Sequence, residues 1–282
     1  MKCRNSLTDR ENLIPKMSSN ILGERTYVSD ELCGLTVYPR KTFCHEIFGP
    51  RYKGGQHNVF GGPSKYGKTE LAFDLLEVVA TTELPAYVAV SKPTDPVTAK
   101  RGKELHFRFV SDWPVSRRVQ ELWEGRPAGY VVWPSFGNIN NDFDNAAAIT
   151  ARLMADRYTA SARRKKHSAG ILVMDDTMVK AKVMGLDSQM VTILAMAGAM
   201  QIGLWVFVQR PSDSGRTPLW AYENGDHYFF GKGGDSRMLQ RYMQIGAAGE
   251  NSMIVAEVAP KLEKYQFIYL HEDMICIIDK KP

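Results

Sequence analysis

The sequence has little of what disulfide-built, metal-built or secreted proteins depend on. Its 282 residues hold four cysteines, Cys3, Cys33, Cys44 and Cys276, with no CxxC pair and no metal-ligand spacing, so reduced thiols in a cytosolic compartment are expected. The N-terminal stretch MKCRNSLTDRENLIPK lacks the apolar core of a signal peptide, and nothing argues for secretion. No repeat of solenoid length and no low-complexity tract is present. Neither sign of charge dominates: 36 Lys and Arg stand against 31 Asp and Glu, a net charge of +5 that permits a polyanionic partner without requiring one. One segment imitates a membrane span. Residues 190 to 208, MVTILAMAGAMQIGLWVFV, carry no charge. The break at Gln201–Gly203 divides it into an Ala/Met-rich half and the β-branched and aromatic LWVFV, the pattern of a buried helix followed by a parallel strand. No membrane partner is expected.

What is present is a long βα alternation. Residues 1–50 are rich in polar turns, carry Pro15, Pro39 and Pro50, and predict a small N-terminal appendage. Residues 51–245 alternate apolar strands with helices: VF before a glycine loop, then AYVAV, HFRFV, YVVW, ILVM and LWVFV. This order predicts an α/β fold with a mainly parallel twisted sheet between helices. After residue 217 the pieces HYFF, SMIVAEV, YQFIYL and MICIID read as antiparallel strands, and residues 246–282 are expected to form a C-terminal antiparallel unit with a turn at His271–Asp273.

The chemistry is carried by GGPSKYGKTE, residues 61 to 70, which fits GxxxxGK[ST]. Backbone N–H groups can wrap phosphate oxygens only where no Cβ intrudes and the chain can turn through positive φ, hence Gly62 and Gly67. Pro63, Ser64, Lys65 and Tyr66 form the loop between them, Lys68 is placed to reach the β/γ-phosphates, and Thr69 offers a hydroxyl to Mg²⁺. Glu70 completes the segment in the first turn of a helix whose dipole favours an anion. A metal site of this kind needs a partner acid after an apolar strand, and AGILVMDDT supplies Asp175 and Asp176. Gln209, at the end of LWVFV, is placed to sense a γ-phosphate, since its amide can bond phosphate or water.

With these motifs the sequence resembles the RecA-type ATPase core of ring helicases and recombinases, and more narrowly the hexameric RNA-packaging NTPase of cystoviruses, the double-stranded RNA bacteriophages. The resemblance covers about residues 55–245. It implies a RecA-like P-loop NTPase that forms a homo-hexameric ring, uses ATP or another NTP with Mg²⁺, and moves single-stranded RNA into a viral procapsid. A procapsid vertex and the host cytoplasm are the implied locations. It further implies an RNA-gripping loop at VKAKVMG with Lys180 and Lys182, a second at residues 210–218 with Arg216, and Gln209 as sensor. Arginine fingers inserted into a neighbour's site are the other implied feature. Arg237 and Arg241, at i and i+4 in GDSRMLQRYMQ, are the candidates, with Arg210 and Arg216 as rivals. The pattern departs from the RecA type in one respect: AYVAV runs into SerLysProThrAsp with no glutamate, leaving Asp95 or Asp176 to polarise the attacking water. The basic run ARRKKHS ends an apparent helix, where cations favour the dipole without any nucleic acid. Two other readings remain open on the residues alone, a P-loop phosphotransferase acting on a small acceptor and a nucleotide-dependent assembly module with little turnover.

Overall fold

A computed structural model describes residues 26–137, 142–163, 168–209, 224–233, 236–244, 251–272 and 274–280. Its strands are β1 (Tyr27–Ser29), β2 (Leu35–Tyr38), β3 (Asn58–Gly61), β4 (Ala86–Ala89), β5 (Arg108–Val110), β6 (Gly129–Val132), β7 (Gly170–Met174), β8 (Ile202–Val208), β9 (His227–Phe230), β10 (Phe267–His271) and β11 (Met274–Ile278). They form one sheet in the order β1-β2-β11-β10-β9-β3-β8-β7-β4-β6-β5. From β9 through β3 to β5 every pairing is parallel. The antiparallel pairs lie at the other end, β9 with β10, β10 with β11, and β1 with β2.

Both faces of the sheet are covered, which explains the unbroken apolar runs of its central strands. In β7, Ile171 and Val173 enter one core while Leu172 and Met174 enter the other. On the first face lies the Lys68–Val79 helix, through Leu71, Leu75 and Leu76, beside an aromatic cluster in which Phe60 stacks between Phe207 and Phe229 at 4.8 and 4.7 Å. The Asp142–Ala162 and Asp187–Met200 helices cover the second face with Ile149, Leu153, Met190 and Ile193.

The uncharged 190–208 run resolves as expected into the end of the Asp187–Met200 helix and the fully buried β8, joined at Gln201 with φ 54°. Among the described residues no helix is long and apolar enough to cross a membrane. Two expectations are corrected. SMIVAEV is a helix, Ser252–Val258, because its buried positions Val255, Val258, Ala259 and Leu262 recur at helical and not strand spacing. HYFF does pair antiparallel with β10, but its other neighbour is β3, to which it is parallel, so β9 joins the two halves of the sheet. The described part of the N-terminal segment adds β2 beside β11 in parallel and continues into a helical run through residues 40–51, whose Phe43 and Phe48 pack on Phe229. The basic run at residues 164–167 lies outside the described residues.

Candidate nucleotide site

The site sits at the carboxyl ends of β3, β8, β7 and β4, where parallel strands of an open sheet leave a crevice. The glycine loop follows β3 and ends at Gly67, whose φ of 87° turns the chain into the Lys68–Val79 helix. Gly62, at φ 141°, brings the loop against Gly231; a Cβ there would lie 3.3 Å from the Gly231 Cα. The amides of the first helical turn have no partner within the helix and face the loop.

Lys68 is buried, and its Nζ donates to the carbonyls of Gly62 at 2.7 Å and Pro63 at 2.8 Å. Burial chiefly, with the positive Lys92 in support and Asp176 in opposition, lowers its pKa to about 8. A desolvated ammonium resting on two neutral carbonyls is a cation in want of an anion, and a phosphate would meet it together with the loop amides. The loop therefore fits a nucleotide triphosphate. Its outer residues Ser64 and Lys65 are exposed, with Lys65 at φ 64°, while Pro63, Tyr66, Thr69 and Glu70 are half-buried.

Because β8 lies between β3 and β7, the residue ending β8 stands between the loop and the acids. Gln209 accepts from Ser64 Oγ at 2.7 Å through Oε1, and its Nε2 reaches Asp176 Oδ2 at 3.4 Å. Asp176 has φ 45°, a left-handed conformation uncommon for a non-glycine residue, and its Oδ2 lies 3.6 Å from Lys92 Nζ. The neighbouring Asp175 is turned elsewhere: it is buried, accepts from Ser91 Oγ at 3.0 Å, and pairs with Lys180.

Two sequence-predicted assignments change. Lys180 is fully buried on Asp175 and does not present its charge to a polymer in this state; only Lys182 of that pair is at the surface, where it lies 3.6 Å from Asp187. Asp95 caps the Pro96–Glu104 helix, its Oδ1 accepting from the Thr98 amide at 3.0 Å, so its carboxylate has a local structural task. Arg237 and Arg241 lie on the Ser236–Gln244 helix, as the i, i+4 spacing requires, and their side chains are outside the described residues. Arg210 and Arg216 are also outside them.

Three residues were missed. Ser91 and Lys92 lie in the glutamate-free stretch after β4, and their position after a parallel strand is the available signal. Tyr265 had none, being far along the chain. It takes φ 72°, its carbonyl accepts from the buried Arg40 guanidinium, and its ring covers Gly67, with Cδ1 2.5 Å from where a Cβ would stand.

Comparison with solved structures agrees with this fold. The DNA-packaging ATPase B204 of Sulfolobus turreted icosahedral virus superposes with a TM-score of 0.54 at 14% identity, over 81% of this chain and 99% of that one. This is the fold of the P-loop ATPases. The B204 genome-packaging NTPase of Sulfolobus turreted icosahedral virus 2, in complex with ATP-γS, gives 0.51 at 13% identity over 81% and 99% of the two chains. The cytoplasmic domain of the Thermomonospora curvata type VII secretion ATPase EccC gives 0.53 at 13% identity, covering 84% of this chain and 26% of that one. No protein-family model matches the chain, and no curated protein does. At the carboxyl ends of the parallel strands Gln209 joins the loop after β3 to Asp176 after β7.

Proposed function

We propose that this protein is a ring-forming NTPase that couples ATP or other NTP hydrolysis to the movement of single-stranded RNA into a viral procapsid. The observation that carries the hydrolytic part is the Gln209 bridge, which connects the phosphate loop at Ser64 to the acid Asp176. In this reading Lys68 leaves the Gly62 and Pro63 carbonyls for the β/γ-phosphates, and the loop amides from Ser64 to Glu70 cradle the remaining oxygens. Thr69 and Asp175 would hold magnesium, a hard cation suited to hydroxyl and carboxylate oxygens, which neutralises charge on the phosphates when bound. Asp176 takes the proton of the attacking water, because Asp95 is committed to its helix cap and Asp176 already touches the sensor. Gln209 exchanges its Ser64 bond for the γ-phosphate or the water, so its orientation reports the nucleotide state. Tyr265, beside Gly67, offers an aromatic face at the loop's edge for the base.

The polymer and the ring rest on the resemblance of the motifs to the cystoviral packaging enzymes and on the fold shared with genome-packaging NTPases. Lys182, with Arg216, is the candidate phosphate contact, and gripping phosphates without reading bases suits a motor that must move any sequence. Arg237 and Arg241 would complete a neighbour's site, their delocalised charge matching that of the transferring phosphoryl group. A mixing experiment tests this assembly. Lys68→Ala and the double variant Arg237→Ala/Arg241→Ala are each expected to be inactive, yet mixed subunits should regain turnover, since each supplies what the other's interface lacks. Absence of recovery in rings shown to be mixed, or full activity of the arginine variant alone, rejects the shared site.

A further inference from the structure

A cation of the chain itself already sits on the acid assigned to magnesium. Lys180 is fully buried, and its Nζ donates to both the Asp175 carboxylate and the Asp175 carbonyl, the latter at 2.8 Å. Ser91 Oγ donates to the same carboxylate oxygen at 3.0 Å, and the Ser91 amide approaches the other at 3.5 Å. The ammonium thus stands in for a metal ion: it neutralises a buried carboxylate that would otherwise be costly to desolvate. A divalent ion and an ammonium on one small carboxylate repel each other, so occupancy by one opposes the other.

The backbone around Lys180 departs from a regular α-helix. Val179–Val183 is a π-helical turn, closed by the Met184 amide on the Val179 carbonyl at 2.9 Å and followed by the Leu186 amide on the Lys180 carbonyl at 3.1 Å. Such a turn holds one residue more than an α-turn. Shortening its register by one residue rotates a side chain by about 100° around the axis, enough to carry Lys180 off Asp175.

We infer that Lys180 is a competitor of magnesium: it holds Asp175 in the nucleotide-free state, and metal loading displaces it and re-registers the Val179–Val183 turn. The inference rests on the nucleotide reading of the site and adds to it a residue that sets metal affinity and ties the metal to the segment bearing Lys182.

The test uses the full chain and a fluorescent non-hydrolysable ATP analogue, whose binding is measured first. An amine-acylating reagent with mass-spectrometric readout then reports the accessibility of Lys180, with the exposed Lys100 of the Pro96–Glu104 helix as internal reference. The expected result is Lys180 protected in the free protein and with analogue alone, and labelled several-fold more once magnesium is added. In parallel, Lys180→Met is expected to lower the magnesium concentration that half-saturates analogue binding by about tenfold, the weight of one charge-assisted hydrogen bond removed from the competing side. Bound analogue and magnesium with Lys180 still protected, or a variant needing as much magnesium or more, overturns the exchange and leaves the nucleotide site standing. Failure of the wild-type protein to bind the analogue overturns the nucleotide reading itself, and the inference with it.

Discussion

Nucleotide binding should draw a proton from solvent, and the amount follows from Lys68. In the free site burial, chiefly, and Lys92 depress its pKa to about 8, while Asp176 pulls the other way. A triphosphate supplies charge and hydrogen bonds that favour the ammonium and return the pKa above its ordinary value. The sign is then fixed. The free lysine is partly neutral at or above pH 8, the bound lysine is protonated, so binding takes up protons and weakens as pH rises. With a free pKa of about 8, uptake is about 0.5 proton at pH 8 and about 0.9 at pH 9, and affinity falls about fivefold between them. ATP-γS, whose terminal thiophosphate is ionised across this range, is the ligand for this titration, so its own phosphates do not interfere. Isothermal titration of the wild-type protein in two buffers of different ionisation enthalpy, at both pH values and without magnesium, reads the uptake directly. Lys68→Arg is the companion: a guanidinium stays charged throughout, and whatever binding survives should take up nothing. Zero uptake by the wild-type protein at both pH values refutes the claim that Lys68 is a desolvated cation awaiting phosphate.

Other parts of the site make separate predictions. Gly67→Ala should abolish analogue binding at any practical concentration, since the residue sits at φ 87° and its new Cβ would lie 2.5 Å from the Tyr265 ring; fluorescence titration of a folded variant decides it. Adding Tyr265→Ala removes the clash but not the backbone strain, and only partial recovery is expected. Gln209→Ala should cut turnover at least about tenfold with analogue affinity only slightly weakened, because Lys68 and the loop amides carry the phosphates while Gln209 joins the loop to Asp176; a variant with wild-type kcat removes Gln209 from the mechanism. Away from the site, burial and the adjacent His271 lower the His227 pKa to about 3. The unfolded chain protonates this imidazole near its ordinary value and the fold does not, so stability falls as pH drops below about 6.5 towards 3. Thermal unfolding of His227→Gln should lose part of that pH dependence; an unchanged slope assigns the acid sensitivity to other groups.

The parts of this protein legible in its sequence are those whose requirement is local. Gly62 and Gly67 announce themselves because a phosphate loop needs positive φ at those points, and both have it. The runs ILVM and LWVFV read correctly as buried parallel strands because covering on both faces removes any polar alternation. SMIVAEV reads as a strand by its Ile and Val content, yet Val255, Val258 and Ala259 recur at helical spacing and the segment folds as a helix. What sequence could not supply is which side chains pair in the folded chain. VKAKVMG looks like an exposed basic loop, yet the carboxylate five residues before Lys180 takes its charge inward. Asp95 and Asp176 are equal candidates for the base in the sequence, which does not show that Asp95 caps a helix and that Asp176 touches Gln209. Tyr265 reaches the loop only because the sheet order places β10 beside β9 and β9 beside β3.

The central claim joins a nucleotide site to a polymer, and one steady-state measurement addresses both halves. NTP hydrolysis by the purified protein is followed with and without single-stranded RNA, with duplex DNA as a further arm and Lys68→Ala as the blank. The account predicts turnover that disappears in the blank and rises with single-stranded RNA. Lys68-dependent turnover that RNA leaves unchanged, or that only duplex DNA stimulates, contradicts the RNA motor, and absence of Lys68-dependent turnover under all three conditions contradicts the NTPase itself.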